Sequence, residues 1–298
     1  MGRKVALLVG CNYSGNPKCR ENGLYGCIND VKAMQGLIRH RFGFLDGNIT
    51  ILTDETQKQP TQKQPTRLNI LDELNKMIDA ANPGDTLLFY FSGGGALVNR
   101  PVNPPVTNEI KRGKSAIIPC DLKPITGADM VAILNRLPDG AFFTFICDSS
   151  YSGGLFDENV QTESNVPDHA NNCNFKSKTI PSNLLQSINV SENLPAGIPP
   201  PVILFSSSRW NEESVEVHLN CDVSMAFSAY SGAIQKLFNS PQAGNGLNAP
   251  YANREVDAFT RASLGYLGFD QHPCLIPNKN NAVALFLNGY GPGVCRIV

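Results

Sequence analysis

The chain has 298 residues, a formal net charge of −1, 42% hydrophobic residues and 17% charged ones. The length is too great for one small domain and short enough for a single large α/β unit, and the balance predicts a packed core rather than disorder. It gives no electrostatic reason to expect a nucleic acid or an anionic membrane as partner. No apolar run reaches the ~18 residues that cross a bilayer. The early "VALLVG" is too short for a signal-peptide core, so a cytoplasmic protein is expected, with the nucleus also compatible. A monomer is expected. The nine cysteines are scattered and form no C-x-x-C pair. Reduced thiols and no structural metal follow from that spacing.

In chain order, "KVALLVG" (4–10) reads as a buried strand, being short, continuous and apolar. Asn29 and Asp30 then precede a helical stripe of Val31, Met34, Leu37 and Ile38, which predicts an acidic N-cap. "NITILTD" (48–54) is a second strand, followed by a loop that repeats "TQKQP" (56–65). Ile70, Leu74, Met77 and Ile78 mark a second helix, and "DTLLFYFSGGG" (85–95) a third strand ending in glycines. "SAIIPCD" predicts a short extended piece. Met130, Ile133, Leu134 and Leu137 give a third helix, and "GAFFTFICD" the fourth strand. From about 158 to 200 the composition turns to Asn, Ser, Pro and Gln and reads as a linker or long loop. "VILFSSS" (202–208) is a fifth strand. Phe227, Tyr230, Ile234 and Leu237 lie on one helical face, and Val256, Phe259 and Leu267 suit another. "NAVALFL" (281–287) is read as the sixth strand.

Strands alternating with helices predict a parallel sheet covered on both faces. Ligands in such sheets bind beyond the carboxyl ends of the strands. Three chemically suggestive segments fall there: residues 26–30, Ser92 to Gly95, and Asp148 to Gly154.

These segments resemble the metacaspases, specifically the type II class of plants. The resemblance rests on "ALLVGCNY" (6–13), "LYGCINDV" (24–31), "RFGF" (41–44), "ILTDE" (51–55), "DTLLFYFSG" (85–93), "AIIPCDLKPIT" (116–126) and "DSSYSGG" (148–154). It continues in "AFSAYSGAIQ" (226–235) and "LGFDQHPCLI" (267–276). It implies a caspase-like fold, a six-stranded, mostly parallel sheet with helices on both faces. The p20-like part would be 1–158, the linker 159–200, and a p10-like part 201–298 would complete the same sheet. The resemblance also implies a cysteine-type endopeptidase (a thiol protease and hydrolase of peptidase family C14) that cuts after Arg or Lys. The dyad would be a His in "SGHG" and a Cys in "D-x-C-H-S-G-G".

Both dyad positions are substituted here: Gly94 stands at the histidine position and Ser150 at the nucleophile. A thiolate is accessible near neutral pH beside an imidazole, whereas a serine hydroxyl needs a positioned base that Gly94 cannot supply. Losing a general base costs ~10²–10⁴-fold. Backbone N–H groups at Gly95 and Ser150 would remain as oxyanion donors. The resemblance also implies that Asp30, Ser92 and Asp148 form an acidic pocket for a basic side chain, since paired carboxylates suit a guanidinium or ammonium. The bland readings are a helix N-cap for Asp30 and turn hydrogen bonds for Ser92 and Asp148.

Of the four histidines, His40, His169, His218 and His272, only His218 is a candidate stray base. Cys147 reads as a packed thiol. Acidic residues that would bind calcium in the family are missing around 111–115 and 127–129, so no cofactor and no metal is expected. Lys176 and Lys178 read as linker cut sites lacking the dyad to cut them. The leading expectation is a pseudoprotease that binds basic peptides or regulates active metacaspases. The alternative is an active Arg/Lys-specific endopeptidase using displaced residues.

Overall fold

Runs of Val, Leu, Ile and Phe too apolar to face water on either side demand cover on both. In the computed structural model, which describes residues 2–19, 21–55, 63–98, 113–156, 174–186, 202–239, 250–277 and 282–288, those runs build the central sheet. In chain order the elements are β1 (Lys4–Gly10), α1 (Cys27–Phe42), β2 (Ile49–Thr53), α2 (Arg67–Asp79), β3 (Thr86–Ser92), β4 (Gly94–Val98), β5 (Lys114–Ile118), β6 (Ile125–Thr126), α3 (Gly127–Leu134) and β7 (Phe142–Asp148). They continue with β8 (Phe175–Ser177), β9 (Val202–Ser206), β10 (Val215–Val217), β11 (Phe227–Ser228), α4 (Ala229–Asn239), α5 (Asn253–Tyr266) and β12 (Cys274–Pro277).

The central sheet has six strands in the order β12-β9-β7-β3-β1-β2. All neighbours are parallel except β12, which runs antiparallel to β9. Alternate residues feed two cores. On one face Leu7, Val9, Phe89 and Phe145 meet Ile70 and Leu74 of α2 and Met130 and Leu134 of α3. On the other, Leu8, Leu88, Tyr90 and Phe205 meet Met34 and Ile38 of α1, Ile234 of α4 and Val256 and Leu264 of α5. Two three-stranded sheets flank the carboxyl ends, β4-β5-β6 and β11-β10-β8.

The sixth strand is not at 281–287. It is "CLIP" at Cys274–Pro277, while Phe286–Asn288 forms a 3-10 turn. The apolar run at 283–287 resembles a strand by composition alone, and Phe286 and Leu287 are buried as a plug under the α1 side of the sheet. The expected N-cap also moves. α1 begins at Cys27 after Gly26, with no side-chain cap. Asp30 therefore sits inside the first turn, free to point elsewhere.

Candidate functional site

Strand register gathers the site. β1, β3 and β7 pair so that Gly10 lies beside Ser92 and Ser92 beside Asp148. Ser92 and Asp148 thus end adjacent strands at one level, and Asp30 enters from the first turn of α1. Ser92 Oγ donates to Asp30 Oδ2 at 2.7 Å. All three side chains are buried.

The pocket they form is filled by the chain itself. Lys178 has no exposed surface, and its Nζ donates to Ser92 Oγ at 2.9 Å, Asp148 Oδ1 at 3.0 Å and Ser228 Oγ at 2.7 Å. Three N–H bonds find three acceptors, which satisfies the ammonium completely. The carboxylates are equally engaged. Ser231 donates its N–H and Oγ to Asp148 Oδ2 at 3.0 and 2.5 Å. Ser228 donates its N–H to Asp30 Oδ1 at 3.0 Å and its hydroxyl to Oδ2. Burial works to lower the pKa of Lys178, but Asp148 and Asp30 outweigh it and hold the amine protonated above its usual range. Burial pushes the Asp30 carboxyl up, against the downward pull of Lys178.

The backbone around Lys178 lies in the cleft as an added strand. On one side β8 pairs antiparallel with β10, and Lys178 N–H continues the ladder to Ser214 O at 2.8 Å. On the other, Gly95 N–H donates to Lys178 O at 2.8 Å and Ile180 N–H to Gly95 O at 2.9 Å. One of the two expected oxyanion donors, Gly95, therefore holds the carbonyl of Lys178. Gly95 has no room for a side chain, since a Cβ there would lie 1.9 Å from Ser150 O.

Ser150, the expected nucleophile position, is closed to solvent. Ser150 is 1% exposed, and its Oγ accepts the Ser214 N–H at 3.0 Å. Lys178 cannot serve as its base, because an ammonium with three donated bonds and a raised pKa has no lone pair to offer. Cys147 is buried, bonds Ser149 Oγ at 3.3 Å, and has its thiol pushed up to about 12 by burial. Tyr151 is held at φ 62°, bonds Glu213 at 3.3 Å, and burial raises its phenol.

The histidines are committed elsewhere. His218 Nε2 lies 2.8 Å from Glu216 Oε1. Glu216 in turn accepts the Tyr25 and Gly26 N–H groups ahead of α1. His272 Nδ1 lies 2.9 Å from Glu212 Oε1. His40 is on the exposed face of α1, and His169 lies outside the described residues. Asp129 bonds Arg67 at 2.7 and 3.1 Å and closes a capping box with Thr126. Its carboxylate is spent on helix α3. Among the described residues no group of three or more acidic, His or Cys side chains is set to hold a metal, and no helix is long and apolar enough to cross a membrane.

Sequence reasoning placed Asp30, Ser92 and Asp148 together but missed Ser228, Ser231 and Lys178 as their partners. Ser228 and Ser231 lie in "AFSAYSGAIQ", a segment that was matched without a role. Lys178 lies inside a stretch of linker-like composition, and only its place in β8's ladder reveals it. The thiols also differ in one respect from the reduced set expected. Among the described residues six are free, but Cys221 is disulfide-bonded.

A mostly parallel six-stranded sheet whose cleft sits at the carboxyl ends of β1, β3 and β7 defines a protein of the caspase-like class. The match to the crystal structure of protein GSU0716 from Geobacter sulfurreducens agrees in fold, with a TM-score of 0.61 at 17% identity over 94% of this chain and 97% of that one. Residues 4–159 match the family described as metacaspase, peptidase C14 domain. Metacaspase-9 of Arabidopsis thaliana is 32% identical over 96% of this chain and 97% of its own length. Metacaspase-7 of the same plant is 40% identical over 52% of this chain, a match spanning 36% of that protein. The chain belongs to the metacaspase family, in its type II class.

Proposed function

We propose that this chain is a non-hydrolysing metacaspase, a pseudoprotease whose acidic pocket binds a basic side chain without cutting the bond beside it. One observation carries the reading. The backbone at Lys178 lies where a substrate would, with its carbonyl on Gly95 N–H and its amine among Asp30, Ser92 and Asp148, while Ser150 and Gly94 offer neither thiolate nor base. The basic side chain it holds is the chain's own Lys178. The protein then acts through what it holds rather than what it hydrolyses, without calcium or another cofactor and without a nucleic acid or membrane as partner. It works in the cytoplasm.

The test is hydrolysis of fluorogenic Arg and Lys peptides by the purified chain, with and without calcium. No turnover is expected above that of a Ser150→Ala control. Turnover lost in Ser150→Ala or Cys147→Ala would overturn the reading in favour of a working peptidase with displaced residues.

A further inference from the structure

Gly94 stands where an imidazole would project, and that space is filled. A Cβ built on Gly94 would lie 2.3 Å from Ile180 Cγ1, 2.9 Å from Ile180 Cδ1 and 3.1 Å from Tyr13 Oη. Carbon atoms pack best at ~3.5–4.0 Å, so even an alanine at 94 requires Ile180 to move. Ile180 is poorly placed to do so. It is β-branched and stiff at χ1, it is 1% exposed, and it belongs to the same apolar cluster as Ile117, Ile118 and Leu122. Tyr13 closes the other side, accepting the Gly94 N–H at 2.7 Å and donating to Ile118 O.

We propose that Ile180 occupies the place of the absent histidine and thereby makes the strand carrying Lys178 a permanent part of the core, so that in the native protein the acidic pocket is closed to any external lysine or arginine. This deepens the reading above and rests on it, because a chain able to cut beside Lys178 would release the strand. Three anchors hold the segment at Lys178 and Ile180: the Lys178 amine in its pocket, the backbone ladder to Ser214 and Gly95, and the Ile180 side chain in the apolar cluster. The pocket cannot be vacated by exchanging one amine for another, since Ile180 must leave the core in the same movement.

Native-state hydrogen exchange on the full chain tests this. The reporters are the amides of Lys178, Gly95 and Ile180, which make the three ladder bonds. They are expected to be protected as strongly as the amides of central strand β3, exchanging only with global unfolding. Protection weaker than that of β3 by more than roughly tenfold would mean that the strand opens by itself, and would overturn the proposal. In Gly94→Ala, selective loss of protection at these three amides is expected, and adding Ile180→Ala should cost less than the two single losses summed. Independent, additive effects would count against the proposal. Should Gly94→Ala fail to fold, Ile180→Ala alone decides: loss of protection confined to the three amides supports Ile180 as the seal, and unchanged protection overturns it. Peptide hydrolysis would sink the pseudoprotease reading without touching exchange, and local opening would sink this one without bringing hydrolysis, so the two failures are distinct.

Discussion

Lys178 Nζ stands 3.0 Å from Asp148 Oδ1, and neither side chain exposes any surface to solvent. A buried ion pair is stable only when every remaining donor and acceptor is met, and breaking one side of it leaves an uncompensated charge. Here Ser92, Ser228 and Ser231 complete the set. Replacing the cation by a side chain of similar shape, Lys178→Met, should therefore cost about 3–5 kcal/mol. Urea unfolding measures it, read as a lower midpoint at unchanged slope. A loss within about 0.5 kcal/mol, the range of ordinary surface substitutions, would mean that the pocket does not depend on its lysine.

The same variant should acquire a pH dependence of known sign. Burial already raises the Asp30 carboxyl above its ordinary value, and Lys178 is the charge that restrains it. Removing Lys178 lets that pKa rise further. A carboxyl raised in the folded state gives stability that is fully present below its unfolded pKa, about 3.9, and lost as pH rises through the folded value. The gap in Tm between wild type and Lys178→Met should thus be small near pH 4 and widen toward pH 8. A gap that stays constant across that range would show that Lys178 is not what keeps Asp30 charged.

Much of the fold is legible because its signals are local. β1, β3 and β7 are continuous apolar runs, and α2 carries its stripe of Ile70, Leu74, Met77 and Ile78 behind the cap Thr66. Asp30, Ser92 and Asp148 are legible as a group because their segments follow or end three such apolar runs, β1, β3 and β7. Lys178 is not, because nothing local marks it. It sits 30 residues from Asp148 and 86 from Ser92 along the chain, just past a strand only three residues long. The last strand misled for a related reason. "NAVALFL" has strand composition, but the edge beside β9 is taken by "CLIP", which composition ranks lower.

Asp129 shows why a calcium response is not expected. Burial would raise its carboxyl, but Arg67 and the Thr126 N–H hold it below the usual carboxylate range. That depression contributes stability above the unfolded pKa that is lost as pH falls. Asp129→Ala removes both the capping-box acceptor and the Arg67 pair, and should cost about 1–2 kcal/mol. Millimolar calcium should leave the Tm of the intact protein unchanged. A calcium-dependent rise that Asp129→Ala abolishes would identify the metal site that this arrangement argues against.

Sulfur placed at Ser150 should not make a reactive nucleophile. Ser150 is 1% exposed, its Oγ is tied to the Ser214 N–H, and the Lys178 segment lies across the cleft. A thiol placed there has no imidazole to ionise it, and burial in such a site raises a thiol's pKa, as it does for neighbouring Cys147. Ser150→Cys should therefore add no fast-reacting thiol when the folded protein is titrated with a disulfide reagent, compared with wild type in the same buffer. The extra thiol should become visible only in denaturant. One additional equivalent reacting within seconds in the native state would mean that position 150 is open to solvent and is not covered by the Lys178 segment.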